Sequence, residues 1–236
     1  MKFNLFGSKK EFIEFRCFED DWDVIPKPFD SRKLLPNWYK SLAPKLGSGF
    51  EQSTIKRCAP FLDAMIIGWV IPLAADVHIQ SNENCSVINW DCKFNKPILE
   101  SHTAEQINED KHPQYPRPPI KFMNYWSIKV PKGWSVLFVP PINRTDDRFF
   151  CISGLVDCDK YEEFINFPGF WTKPNFNGIL KAGTPLVQAI PIKRDNFEIK
   201  DNFHSFTSEE LKNLNKLRSK RQVNESYYRD SCWVRK

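Results

Sequence analysis

The chain has 236 residues, of which 41% are hydrophobic, 14% aromatic and 27% charged, with a net charge of +5. That length and apolar content support a sizeable buried core, and the aromatic content speaks against disorder. The positive charge is spread along the chain except for one dense basic stretch, Lys212 to Arg221, so a nucleic-acid binder with a basic surface throughout is not indicated.

In chain order, alternating Ile13, Phe15 and Cys17 predict a strand over Lys10 to Phe18. Asp20 to Ser31 reads as an acidic loop. Leu35 to Leu42 reads as a short N-terminal helix with Pro36 at its first position, where a missing N–H costs little. Leu62 to Gln80 is the most apolar segment; Gly68 and Pro72 predict two consecutive strands there rather than a helix. Another strand is expected in Cys85 to Cys92, and Pro97 to Pro119 reads as an exposed excursion.

The alternation of Trp126, Ile128 and Val130, the turn Pro131-Lys-Gly133 and the alternation of Trp134, Val136 and Phe138 predict a hairpin within Phe122 to Val139. Phe149 to Val156 reads as one buried strand. Phe164 to Phe167 reads as a short strand ended by Pro168, and Leu186 to Ile192 as another strand. Thr207-Ser-Glu-Glu210 is a capping box that starts a C-terminal helix, predicted to pack through Leu211, Leu214 and Leu217. The aromatic tail Tyr227 to Trp233 is predicted to dock.

The expected fold is mainly β, a barrel or sandwich with a short N-terminal helix and a C-terminal helix. A single domain over 1–236 is expected: 1–59 an N-terminal strand and helix extension, 60–193 the β core, 194–236 the C-terminal helix and tail. Met1 to Lys10 lacks the apolar core of a secretory leader, and no apolar run approaches a membrane span. Seven cysteines, an odd number, then read as free thiols of a reducing compartment. The sequons at Asn143 and Asn224 carry no weight without secretion.

Metal binding is not indicated. There is no Cys-x-x-Cys, and His78, His102, His112 and His204 are scattered; no cofactor is expected either. No nucleophile elbow or phosphate loop is present. One richer stretch is Gly154-Leu-Val-Asp157-Cys-Asp159-Lys-Tyr161, where two carboxylates and a Tyr follow an apolar strand. It reads either as an acidic turn satisfying its own backbone or as a base beside a ring that stacks on a nucleobase.

Four segments, in order, resemble the dUTPase and dCTP-deaminase superfamily: Gly68 to Ile79, Val130-Pro-Lys-Gly133-Trp134, Gly154 to Tyr161, and Gly183-Thr-Pro-Leu-Val-Gln188-Ala-Ile190. The resemblance implies a β-clip-like barrel over residues 60–193 and a homotrimer. In its terms Asp157 is the water-activating base and Tyr161 the stacking ring, with Arg144, Asp159 and Gln188 as ligand contacts. The chain departs from the pattern where phosphates are held. Pro140-Pro-Ile142 replaces Pro-Arg-Ser, Arg144 comes three residues late, Lys160 is an extra residue before Tyr161, and the Gly-rich C-terminal arm is replaced by a basic helix. These departures speak against dUTP hydrolysis. Leu35-Pro-Asn-Trp-Tyr-Lys40, Cys58 to Ala64 and Ile165-Asn-Phe-Pro168 are similar to uncharacterised proteins of large tailed phages.

The reading favoured by the sequence is therefore a phage-encoded, non-catalytic binding or assembly protein, self-associating, in the host cytoplasm or in a virion. The first alternative is a pyrimidine-nucleotide enzyme or sensor. The second is an accessory protein contacting nucleic acid through Lys212, Lys216, Arg218, Lys220 and Arg221. No membrane partner is expected.

Overall fold

A computed structural model describes residues 12–47, 53–107, 119–144, 146–194, 203–224 and 226–234. The chain divides into two compact units, Met1–Leu34 with Gly68–Arg194, and Leu35–Ile67 with Asp195–Lys236.

The first unit is built from strands: β1 (Glu14–Arg16), β2 (Phe29–Asp30), β3 (Trp69–Pro72), β4 (Val77–Ser81), β5 (Ile88–Asp91), β6 (Leu99–Ser101), β7 (Ile120–Phe122), β8 (Ser127–Lys129), β9 (Trp134–Val139), β10 (Phe149–Cys151), β11 (Gly154–Val156), β12 (Phe167–Trp171), β13 (Asn177–Leu180) and β14 (Pro185–Lys193). They form four sheets, ordered β11-β9-β14-β3-β2, β10-β12-β7-β6, β13-β4-β5 and β1-β8. Every pairing is antiparallel. The protein is mainly β with few helices, as its sequence indicates.

The core of this unit is one cluster running from Ile71, Val77 and Ile79 through Phe122, Ile128 and Phe138 to Trp171, Leu180 and Val187. Trp171 is fully buried, with its ring stacked on Phe149 at 6.3 Å and 12°. β14 is the spine of the five-stranded sheet because Leu186, Val187, Gln188 and Ala189 are all buried, as expected of a strand covered on both faces. Gly68 sits at φ +75 beside it, and a Cβ there would lie 2.1 Å from the Ala189 carbonyl oxygen.

The second unit holds α1 (Asn37–Ser41), α2 (Ala59–Ile66), α3 (Ser208–Val223) and a π-helical turn, Tyr228–Cys232. Tyr39 and Met65 are buried, and the Tyr39 ring lies 5.8 Å from Phe61. The aromatic tail docks here as predicted: the Trp233 Nε1–H donates to Asp63 Oδ2 at 2.7 Å. Among the described residues no helix is long and apolar enough to cross a membrane.

Several local expectations are corrected. β8 and β9 form no hairpin: β8 pairs with β1, and β9 with β14 and β11. Alternation specifies a strand and its buried face but not its partner, and the Gly133 turn, at φ +88, hands the chain from one sheet to another. The apolar stretch from Leu62 holds the two consecutive strands β3 and β4, but only from Trp69 on; its first residues belong to helix α2, with Pro60 in the first turn and Gly68 just beyond the end. Gly68 thus ends a helix rather than forbidding one, and Pro72 lies in β3 beyond it. Phe149 to Val156 is two strands in different sheets, and β11 is largely exposed. Pro168 lies inside β12, and β13 has no counterpart in the sequence reading. Pro36 is the N-cap of α1 rather than its first helical residue. The stretch after Pro97 is not all surface, since Ile98 and Leu99 are buried and β6 pairs with β7; residues 108–118 of it lie outside the described residues. The capping box at Thr207 and Glu210 forms, but α3 buries none of its residues, and Leu211 and Leu217 are exposed.

Candidate functional site

The turn after β11 holds the two carboxylates singled out by sequence. The N–H groups of Lys160 and Tyr161 both donate to the Asp157 carbonyl at 2.9 Å, which folds residues 157–161 tightly. The antiparallel register sets Asp157 next to Ser135 of β9, and Ser135 opposite Ile192 of β14. Asp157 Oδ1 accepts from the Ser135 hydroxyl at 2.7 Å and from Arg194 Nη1 at 2.9 Å. Asp159 Oδ2 accepts from the Gly133 N–H at 2.8 Å and from Arg194 Nη2.

Arg194 closes this cluster, and the sequence reading missed it. It immediately follows β14, whose Lys193 pairs with Trp134. Its backbone N–H donates to the Gly133 carbonyl at 2.7 Å and its Nη1 also donates to the Trp134 carbonyl at 2.8 Å. A lone Arg after an apolar strand carries no local motif; its role comes from the β9–β14 pairing.

The electrostatics follow from these bonds. The Ser135 hydroxyl and the Arg194 guanidinium hold the Asp157 carboxyl below its usual value. Arg194, with the Gly133 N–H, pulls Asp159 down to about 2. Both groups stay ionised and engaged near neutrality. A general base works best with a proton affinity near the operating pH, which neither has. Asp157 is half exposed, whereas the Asp159 side chain is 3% exposed. Asp159 Oδ1 finds no hydrogen-bond partner among the described residues. Tyr161 is 51% exposed.

The other two candidate contacts meet each other. Asn143 at φ 58 turns the chain so that Arg144 folds back onto β14. Gln188, fully buried, accepts through Oε1 from the Ile142 N–H and from Arg144 Nη2, both at 3.1 Å. Arg144 Nη1 donates to the Ser31 carbonyl at 3.0 Å. Burial pushes the Arg144 guanidinium below its ordinary value.

The sequence candidates thus form two separate groups. Asp157 and Asp159 gather at the Ile192 end of β14, and Arg144 gathers at Gln188, four residues back. At a rise of about 3.3 Å per residue the two positions are about 13 Å apart along the strand.

The histidines stay apart. His78 Nε2 bonds Asn177 Oδ1 at 2.8 Å, His102 bonds Gln106 and His204 bonds the Ser205 carbonyl, while His112 lies outside the described residues. Among the described residues no cluster of three or more His, Cys, Asp or Glu could hold a metal ion. Cys85, Cys151 and Cys158 are buried free thiols, and burial pushes Cys158 up to about 11.

A scan against protein-family models gives no match, and neither does a search of curated proteins. Solved structures do match: 27 chains, among them a mutant dUTPase of Staphylococcus bacteriophage 80alpha with dUpNHpp. That chain is 9% identical, with a TM-score of 0.35 over 84% of this chain and 93% of its own.

The third candidate region is α3. Lys212, Lys216, Arg218, Lys220 and Arg221 are all exposed. None of them makes an ion pair among the described residues.

Proposed function

We propose that this chain is a non-catalytic binding or assembly protein on a dUTPase-like β scaffold, encoded by a phage. One observation carries the reading: Arg194 holds both Asp157 and Asp159, so the carboxylates that could act on water instead fasten the β9 turn to the end of β14. The distance between this clamp and the Arg144–Gln188 pair supports the same reading, because a small ligand would have to reach both groups at once. Incubation with a panel of ribo- and deoxyribonucleoside triphosphates, read as phosphate or pyrophosphate release, tests it. The expected result is no release above buffer, unchanged in Asp157→Asn. Turnover of any nucleotide that the Asp157→Asn variant loses would overturn it.

The alternative, a protein that binds pyrimidine nucleotides, has one observation in its favour: Arg144 and Gln188, two of its candidate contacts, are assembled at 3.1 Å. A ligand of the folded state raises the melting temperature in proportion to the logarithm of its concentration. Titration with dUMP and dCMP that gives such a rise, absent in Arg144→Ala, would favour the alternative.

A further inference from the structure

We propose that α3 is a docking element for the phosphate backbone of a nucleic-acid duplex, with Lys212, Lys216 and Lys220 as its principal contacts. The helix is 16 residues long and buries none of its residues: Leu214 is half-buried, and Leu211 and Leu217 keep 45% and 40% of their surface exposed. A helix of this length with so little packing is marginal by itself, and the Thr207–Glu210 capping box secures only its first turn.

The charges make it less favourable still. Lys212, Lys216 and Lys220 follow one another at four-residue spacing on one face, where like charges repel. The helix dipole accounts for Lys220 and Arg221, which lie in the last turn. It does not account for Lys212, which lies toward the positive N-terminal end, or for Lys216 at mid-helix. A partner that supplies negative charge along the helix relieves this repulsion.

The chemistry of the face narrows the partner. One open, shallow face of the helix is lined by Ser208, Leu211, Lys212, Asn215, Lys216 and Ser219. Ammonium, hydroxyl and amide donors are the groups that contact phosphate oxygens. The Ser219 hydroxyl is already committed to the Asn215 carbonyl at 3.0 Å, which leaves Ser208, Asn215 and the lysines. The three lysines span about 12 Å of helix, the axial distance covered by three to four phosphates of one DNA strand. Arg218 and Arg221 lie on the other flank, so a helix lying in a groove about 12 Å wide presents cations to both strands. A second copy of the chain fits less well. Leu211, Leu214 and Leu217 are three residues apart and drift by about 60° per step, so they form no straight apolar seam.

This inference rests on the helix alone: nucleotide turnover would overturn the reading of the β unit and leave this one standing. The test is fluorescence anisotropy of a labelled 30-base-pair duplex with the full chain, titrated between 50 and 200 mM salt. Lys212→Gln/Lys216→Gln/Lys220→Gln is compared with a charge-matched control, Lys33→Gln/Lys93→Gln/Lys132→Gln. Gln is a good helix former and removes the repulsion, so far-UV circular dichroism should show α3 intact in the variant. Each phosphate contact adds about 0.9 to the slope of log affinity against log salt, so the helix variant should lose between two and three units of slope, and with them about 40-fold of salt sensitivity across that range. The control should lose little. No duplex binding by the wild type at 50 mM salt, or equal losses in the two variants, overturns the proposal. So does preferential binding of poly-glutamate, which would assign the face to an acidic peptide.

Discussion

The β unit and α3 handle charge in opposite ways. In the β unit, the part-buried cations are consumed internally: Arg194 by Asp157 and Asp159, Arg144 by Gln188 and the Ser31 carbonyl, and Lys96 by the buried Asp21 at 2.6 Å. On α3, five cations face outward and make no ion pair among the described residues. Buried or half-buried charges must be matched because desolvation penalises them when they are not, whereas exposed charges can be left for a partner. The comparison teaches where to test first: Arg194 already engages Asp157 and Asp159, whereas the α3 cations engage no acidic side chain among the described residues.

The largest effect expected from breaking the contrast is in the β core. Trp171→Ala removes a fully buried ring that packs on Phe149 and Phe176, and should cost the β unit about 3–5 kcal/mol in urea unfolding followed by near-UV circular dichroism. Next is Gly68→Ala. A non-glycine residue at φ +75 costs about 1–3 kcal/mol, and the contact with the Ala189 carbonyl adds to it. If Gly68→Ala unfolds at the wild-type urea midpoint, the close approach of Gly68 to the Ala189 carbonyl in β14 is wrong.

The carboxylate clamp gives a pH signature. The pKa of Asp159 is about 2 in the folded chain against about 3.9 unfolded, so its contribution is present above pH 4 and is lost as pH falls through 2. Acid unfolding of the wild type should therefore steepen between pH 4 and pH 2, and Asp159→Asn should show a flatter curve there. Identical acid profiles would remove the clamp.

On α3 the effects are smaller and local. Thr207→Ala deletes the cap and should cost about 1 kcal/mol of helix stability, seen as a loss of far-UV helical signal without a shift in the β unfolding transition. Leu211→Ala should change stability by less than about 0.5 kcal/mol, because the side chain is already exposed. A drop comparable with Trp171→Ala would show that α3 is packed, and would erase the contrast.

Residue pattern and local chemistry determined much of this protein. Mainly-β character, the strands around Phe15, Trp134 and Val187, the Gly133 turn, the Thr207–Glu210 capping box and the basic C-terminal helix are all legible in the chain, because alternation, capping and φ > 0 turns are short-range properties. Partners were not legible. Periodicity marks which face of a strand is buried but not which strand lies beside it, so the alternation predicts a hairpin where β8 and β9 join different sheets. The same limit hid the site. Asp157 and Asp159 were visible as carboxylates on a turn, yet Arg194 reaches them only because β14 pairs with β9, and Arg144 and Gln188, 44 residues apart, meet only because a turn folds back on that strand. Whether a charged residue is a reagent or a fastener depends on its neighbours, and neighbours distant in sequence are set by tertiary structure.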